Sequence, residues 1–599
     1  MIRHSKRFTV KQVVALLEEA DDNSLPSDDD NSEAEADDGA QEELRHMDNV
    51  QTSVADDTSS SSAGHGQAGN VADSSADCAP VVSDIESSDE DSACDEWNTS
   101  VNHFQNMHQM YQGSPEVLVS LTSTDTAGQY FDAVLDDEIS DLIVTQTNLY
   151  RNQKQAAQGR SAAGEPFTDG DLRAWIGLVI LMGIHQLPEV QNYWSSDPLL
   201  CVPAVKTVMP SKKFKKIVET IHCNDNTTNP PRGETGHDKL HKLRPLLTKL
   251  HQKFATLYKV SGTVSVDESM IAFKGRSSMK QYMPMKPVKR GYKVWCLADS
   301  ATGFVTTFDI YTGKAENADD SYSLGERVVI DLCLCTRTAL DEWTVVAFDN
   351  FFTSVKLTEE LYKRKLFSVG TVRAQRKGLP EFMKKKSKLE RGEFLYETKG
   401  CVAAVKWMDN REVTVLSTCH SPKEVRDVTR RAKDGTRSII PCPLAIAEYN
   451  RIMGGVERFD QFRERYSVGR RSVKWWHRIL YWLIDLMVVN AYVMYQINRR
   501  QHSVSDQLSF RLQLVRHLTS SYTSSRKRGR PVSFLANKKS VPEEVRLAQV
   551  GNHFPQQNQN FRRCRFCSTT KAEKRSRYTC TVCDVPLCLE PCFRKFHAK

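Results

Sequence analysis

Long hydrophobic runs are scarce in this chain of 599 residues. The most apolar one, Ile479 to Met494, is shorter than a bilayer span and carries Asp485 and Asn490. It predicts a buried helix and no membrane partner. The opening residues MIRHSKRFTVKQVVALLEEADD lack an apolar core long enough for a signal peptide, although Val10 to Glu19 would suit a short amphipathic helix. From Ala20 to about Thr99 aromatics are few, and Ser, Asp, Glu, Ala and Gly dominate. That composition cannot bury enough apolar surface to offset its ordering entropy, so disorder is expected there. Basic residues are nearly missing from the same region. Residues 1–100 hold 25 Asp/Glu against 5 Lys/Arg, a net −20, so the chain total of +6 leaves +26 on the rest. A basic body with an acidic tail points to nucleic acid as partner, with the tail competing for the same surface. The length predicts more than one domain.

Cysteine is not scarce, but its placement argues against secretion. Six of the 16 cysteines fall in the last 36 residues, as Cys564-x2-Cys567, Cys580-x2-Cys583 and Cys588-x3-Cys592, followed by His597. Paired thiolates at this spacing predict tetrahedral Zn²⁺ sites in a reducing compartment. These are seven ligands, and two full sites need eight. Either His553 or another nearby group completes the second site, or a single site is tetrahedral with protein ligands alone. Arg562, Arg563, Arg565, Lys571, Lys574 and Arg575 give the finger charge for DNA; such a finger also suits protein.

The stretch richest in chemistry is Thr263 to Asp299, TVSVDESMIAFKGRSSMKQYMPMKPVKRGYKVWCLAD. Val264 and Val266 alternate as in a strand that reaches the carboxylate pair Asp267 and Glu268. A basic run follows, with Lys274, Arg276, Lys280, Lys286, Lys289 and Arg290, and then a second strand from Gly291 to Ala298. Carboxylate oxygens suit Mg²⁺, and Lys and Arg suit phosphate. An acid at a strand end beside a basic loop therefore fits a metal site facing a polyanion, and a surface hairpin with solvated charges fits as well.

Further along, Phe304 to Tyr311 is expected to be a third strand and Ser323 to Cys335 a helix. Glu342 to Phe348 is a near-continuous apolar strand ending at Asp349, a position where open α/β sheets place ligands. A helix from Lys356 to Lys365 and a strand from Phe367 to Val372 follow. Three antiparallel strands, a helix, a strand ending in Asp, a helix and a strand make the layout of a ribonuclease-H-like α/β core. Its metals would sit between Asp267 and Asp349. Such folds take a third carboxylate from a later helix. Ala445 to Asn450 opens one, and if it continues, Glu457 and Asp460 lie three apart on one face. The basic stretch Arg373 to Lys433 is expected to be an inserted subdomain, with strands Val402 to Met408 and Glu412 to Ser417. Ahead of the core, Tyr130 to Arg151 and Asp171 to Leu187 predict helices, the second apolar nearly all round and hence buried. Pro245 fits the first turn of a helix running to Lys259.

Several long runs carry a family resemblance: VDESMIAFKGRSSMKQYMPMKPVKRGYKVW, FDNFFTS, GTVRAQRKGLP, EYNRIMGGVERFDQF and VKWWHRILYWLIDLMVVNAY. In this order, over about residues 115–500, the chain resembles the piggyBac transposases and their host-derived relatives. The C-terminal cysteine pattern is similar as well. The resemblance implies a DDE/DDD-type DNA transposase with a ribonuclease-H-like core and three metal-binding carboxylates. By motif Asp267 is the first and Asp349 the second. The family's Gly-Gly-Val-Asp stands here as Gly454-Gly455-Val456-Glu457, so the third acid is Glu457, with Asp460 matching the acid that follows. The extra methylene moves the carboxylate by ~1 Å, and a shift of that size can cost about 100-fold in rate. The resemblance also implies two Mg²⁺ (or Mn²⁺) ions, strand cutting at element ends, a hairpin intermediate, and joining at TTAA sites in double-stranded DNA.

The family's DNA-binding and dimerisation domain is built from both sides of the core, which implies a homodimer. The expected organisation is an acidic disordered region over 1–114, a helical DNA-binding and dimerisation domain over 115–262 and 458–545, core segments over 263–372 and 434–457, the insertion over 373–433, and a Cys-rich zinc finger over 553–599. Lys274, Arg276, Lys286, Arg290, Arg373 and Arg376 are expected phosphate contacts. Arg470, Arg471 and Lys474 interleave with aromatics as in backbone tracking, though Trp475, Trp476 and Trp482 suit a core better. Ser524 to Pro531 is a nuclear-import-type run, so a nuclear location is expected, and its Arg528 and Arg530 have the form of a minor-groove hook. A domesticated protein that binds DNA or chromatin without cutting it would share all of this. Glu457 is the residue that divides the two readings.

Overall fold

The computed structural model describes residues 96–104, 113–159, 165–314, 321–336, 340–431, 435–499, 506–520, 522, 546–547, 550–569 and 572–598. The amphipathic Val10 to Glu19 stretch, most of the acidic tail and the Arg528/Arg530 hook lie outside these residues. Part of the segment expected to be disordered is ordered. Trp97 packs beside Leu379 and Met383 and donates from Nε1 to the Gly378 carbonyl at 3.0 Å, while Asn98 pairs with Thr398. One large aromatic side chain supplies the anchor that the surrounding acidic residues cannot.

The first half of the helical domain comprises strand β1 (Glu116–Val117), helices α1 (Ala127–Asp132), α2 (Asp137–Ala157), α3 (Asp169–Ile184), α4 (Pro203–Val208), α5 (Ser211–Thr220) and α6 (Arg244–Leu257), and strand β2 (Tyr258–Lys259), which pairs with β1. Polar caps set the starts. Thr126 with Gln129 and Thr168 with Asp171 close capping boxes, and Asp136 accepts from the Ile139 N–H. The helix expected over Tyr130 to Arg151 is therefore two, because Asp136 caps a new start after Val134 and Leu135 turn into the core. α6 begins at Arg244 with Pro245 in its first turn.

The core follows as β3 (Thr263–Ala272), β4 (Gln281–Tyr282), β5 (Arg290–Asp299), β6 (Val305–Ile310), α7 (Leu324–Cys335), β7 (Val345–Phe348), α8 (Val355–Lys363) and β8 (Phe367–Thr371). β5 is antiparallel to both β3 and β6, whereas β3, β7 and β8 are parallel. The order β6-β5-β3-β7-β8 is the ribonuclease-H-like one. Val346 and Phe348 face the large cluster shared with the helical domain, and Val345 and Ala347 face a second cluster. Burial on both sides explains the unbroken apolar run of β7.

The insertion builds outward from this sheet. After α9 (Glu381–Lys384), strands β9 (Phe394–Lys399), β10 (Val402–Met408) and β11 (Glu412–Ser417) extend it, β11 pairing antiparallel with β8. A ribbon of β12 (Val425–Arg431) and β13 (Arg437–Pro443) forms its own two-stranded sheet, and its Ile440 and Cys442 share a cluster with Val405 and Trp407 of β10. Then come α10 (Leu444–Ile452), α11 (Gly455–Arg465), α12 (Trp475–Asn498) and α13 (Gln507–Ser520). α13 packs on α3 and α1, which joins the two flanking segments. α12 is longer than the apolar run alone suggests. Its length and composition would suit a bilayer span, but 94% of its most apolar window is buried inside the protein. Its Asp485 accepts from the Val468 N–H and Ser467 Oγ and faces Arg511 at 3.7 Å, while Asn490 bonds both backbone groups of Val305. A core helix accommodates these polar groups, which hydrocarbon would not.

Candidate active site and zinc finger

The parallel register of β3 and β7 runs from Thr263↔Val345 to Val266↔Phe348. Continuing this register by one residue brings Asp267 beside Asp349, and the two carboxyls interact. Two-residue alternation puts both on one face, on neighbouring strands ~4.8 Å apart. Ser265, Asp267 and Ser269 share that face, and α11 crosses it. The Gly455 N–H donates to Ser265 Oγ at 3.1 Å, and Ser269 Oγ donates to Asp460 Oδ1 at 2.7 Å. Asp267 lies between these two anchors. The expected single helix is broken into α10 and α11 at the glycine pair, where the chain presses on the sheet. A Cβ on Gly455 would stand 2.5 Å from Ser265 Oγ and 3.0 Å from the Asp299 carbonyl. Gly455→Val should push α11 off β3, destabilise the fold by about 1–3 kcal/mol through overpacking, and impair any activity that needs α11. Urea denaturation measures the first effect.

Burial pushes the Asp267 carboxyl up to about 7; Lys286 opposes the shift, while Glu268 and Asp349 add to it. Asp349 is also raised, by burial first, against the Phe351 N–H that donates to it at 2.8 Å; Glu268 raises it further. Buried carboxylates that crowd one another are the state a divalent cation relieves, and oxygen ligands suit Mg²⁺ and Mn²⁺. The donor set fits the expected metal. A raised carboxyl favours folding below its unfolded value of 3.8 and loses that contribution as pH climbs toward about 7. In Mg²⁺-free buffer, Asp267→Asn should therefore stabilise the protein at pH 8, by on the order of 2 kcal/mol. The gain should narrow toward pH 5. Thermal melts across that range check it.

Lys286, expected to touch DNA, faces the acids: its Nζ is 3.2 Å from Glu268 Oε1 and 3.9 Å from Asp267 Oδ1. Lys293 stands 3.9 Å from Glu268 Oε2. Glu268 and Lys293 thus belong to this site although motif reasoning passed over both. Tyr449 of α10 lies near: burial raises its hydroxyl, and the charges of Asp349 and Asp267 add to the shift. The adjacent acid pair and the alternating Lys293 on β5 were the available signals.

Glu457 sits exposed in the first turn of α11 and accepts from Gln461 Nε2 at 3.4 Å. Asp460, three residues on, is taken by Ser269 and by Arg463 Nε at 3.0 Å. Among the described residues, the groups that bring three or more ligand atoms within 4.8 Å of one another are both in the finger. Glu457 does not close such a group with Asp267 and Asp349.

The other expected DNA contacts divide in two. Lys274, Arg276, Arg290 and Arg471 are exposed. Arg373 donates to Asn350 Oδ1 at 2.8 Å, and Arg376 to the carbonyls of Asn350 and Phe351, so both arginines hold the loop after Asp349. Arg470 binds the Met182 carbonyl and Tyr193 hydroxyl, tying the segment before α12 to α3. Lys474 donates to the Glu219 carbonyl at 2.8 Å. Trp476 and Trp482 are buried core residues.

In the finger, β14 (Pro555–Arg563) pairs with β15 (Arg575–Cys580), and α14 (Arg594–His597) closes it. Cys564, Cys567, Cys588 and Cys592 form one cluster, and His553, Cys580, Cys583 and His597 form the other. His553 is the eighth ligand, and the two sets interleave along the chain as a cross-brace. Cys567 Sγ and Cys588 Sγ are 3.7 Å apart, the separation given by two ~2.3 Å Zn–S bonds at a tetrahedral angle. His553 Nδ1 is 3.2 Å from Cys580 Sγ. His597 turns Nδ1 to the Phe593 carbonyl at 2.9 Å, which leaves Nε2 for metal. The Cys588 N–H donates to Cys564 Sγ at 3.3 Å, and backbone donors of this kind outweigh burial to hold that thiol down to about 7. The donor set fits zinc.

Sheet order, paired acids and finger together define a class, the DDE transposases with a C-terminal zinc finger. A family model described as Transposase IS4 matches residues 126–492, and one described as a DDE_Tnp_1-like zinc finger matches 549–598. The chain belongs to the piggyBac transposase family. It is 28% identical over 483 residues to the PiggyBac transposable element-derived protein 3 of Homo sapiens, covering 79% of this chain and 76% of the relative. Against protein 2 of that human series it is 27% identical over 445 residues, covering 73% and 71%. A cryo-EM structure of a piggyBac transposase synaptic complex with hairpin DNA shares its fold, with a TM-score of 0.62 at 21% identity, over 80% of this chain and 98% of that one.

Proposed function

We propose that this protein is a nuclear, homodimeric cut-and-paste transposase that cleaves double-stranded DNA at transposon ends, passes through a hairpin and joins the ends at TTAA sites. The observation that carries the reading is the shared rung of Asp267 and Asp349, both carboxyls raised by burial. Asp267 and Asp349 would hold Mg²⁺ or Mn²⁺, with Glu457 supplying the third carboxylate from α11. The bound ions would activate the attacking water or 3′-hydroxyl and stabilise the leaving oxygen. Asp460, fixed by Ser269 and Arg463, braces α11 against β3. Lys286 and Lys293 balance the negative charge of Asp267, Glu268 and Asp349. Exposed Lys274, Arg276 and Arg290 line the adjoining loop and suit the DNA backbone.

The exposure of Glu457 favours one second reading, a DNA- or chromatin-binding protein that no longer cuts. Excision from a TTAA-flanked reporter separates the two. Activity in the wild type that Asp267→Ala abolishes supports the transposase. A silent wild type restored by Glu457→Asp supports the binding protein.

A further inference from the structure

Away from the catalytic face, α2 and α5 enclose a cavity of about 210 Å³. Arg151 and Lys154 line it from α2, and Lys216 and Glu219 from α5. Nearby, Lys474, just before α12, donates to the Glu219 backbone carbonyl. Three cations and one carboxylate thus line the cavity. Burial holds the Lys474 ammonium below the ordinary lysine range and Lys154 lowers it further, so these positive charges sit near enough to repel. Lys154 and Lys216 make no ion pair among the described residues, and both are exposed, so the cavity is open to a large ligand. Arg151 is held by Asn148 Oδ1 at 3.4 Å and the Glu165 carbonyl at 3.0 Å, yet its Nε is buried without a hydrogen-bond partner. Exposed lysines without an ion-pair partner, grouped around one cavity, are what an anion completes.

We propose that this cavity seats one phosphate of the DNA backbone, a docking point separate from the acids that would cut. The inference rests on the reading that the chain binds DNA and assigns that role to Arg151, Lys154 and Lys216. Recognition here is of phosphate, so it carries no base sequence.

The test uses the full-length, zinc-loaded protein. Binding of a fluorescent duplex is followed by anisotropy over a salt series for the wild type, the double variant Lys154→Ala/Lys216→Ala and the double variant Lys154→Arg/Lys216→Arg. The alanine pair should weaken binding equally for duplexes of different sequence and make the log–log salt slope shallower by about one. The arginine pair should keep the wild-type slope. Unchanged melting temperatures confirm that both variants fold. A wild type that binds duplex with the same affinity and slope as the alanine pair overturns the proposal but leaves the DNA reading intact. A wild type that binds no duplex overturns both. Melting in inorganic pyrophosphate is the second arm. Stabilisation of the wild type but not of the alanine pair, with identical DNA slopes, assigns the seat to a free phosphate and overturns the DNA proposal.

Discussion

Asp267→Ala should abolish strand cleavage, lowering the single-turnover rate by at least about 10³-fold, and should leave duplex affinity within a few-fold of wild type. The size follows from what the site supplies. Metal ions stabilising the attacking and leaving oxygens contribute several kcal/mol, and about 4 kcal/mol corresponds to 10³ in rate. Asp267 is one of two acids on the rung from which any shared ion must hang. Its loss removes a ligand while keeping the basic loop of Lys274, Arg276 and Arg290 in place. Asp349→Ala should give a loss of the same order. Glu457→Ala should weaken cleavage less if Asp460 moves in to take its place. Strand cleavage of an end-labelled duplex, resolved on a denaturing gel, measures all three. Substitution of the exposed Arg471, by contrast, should change affinity and salt dependence but not the rate at saturation.

Removal of zinc should unfold the finger, with a loss of binding free energy of about 10–16 kcal/mol. The two clusters, rather than a large core, hold these residues, and their few buried apolar side chains are Val585 and Leu587 beside the cysteines. The protein as purified should carry two zinc ions per chain by elemental mass spectrometry. His553→Ala should leave one, because it opens the cluster of Cys580, Cys583 and His597 but not the all-cysteine cluster. Chelation should strip amide-exchange protection from β14 and β15 while β3, β7 and α12 keep theirs. A single ion in the wild type, or protection in the finger that survives chelation, contradicts the cross-brace.

The core was legible because its strands advertise themselves. Val345 to Phe348 is buried on both faces and therefore apolar throughout, and Asp349 follows directly, so both the strand and the acid at its end could be placed from residues alone. The cysteine spacing was equally explicit, and the missing ligand could be named, as His553, though not chosen, because its partners lie 27 and more positions further along the chain. What stayed hidden depends on distant pairings. Nothing in Arg376 or Arg470 distinguishes an arginine that binds phosphate from one that caps backbone carbonyls. Lys286 looked like part of a DNA-facing run until the fold turned it onto Asp267 and Glu268. The break between α10 and α11 is a tertiary effect, since Gly455 is needed where the helix meets Ser265. Helical period set Glu457 and Asp460 three residues apart, but that Asp460 meets the sheet while Glu457 stays exposed follows from packing.

The claim on which the rest depends is that Asp267 and Asp349 hold one metal ion between them. Mn²⁺ titration of the zinc-loaded protein, followed by electron paramagnetic resonance without DNA, tests it for the wild type, Asp267→Asn, Asp349→Asn and the double variant. Each single change should weaken Mn²⁺ binding at least about tenfold, and the double variant should be little worse than either single one, because residues that share an ion are not additive. Wild-type Mn²⁺ affinity in either single variant, or losses that simply add, would contradict it.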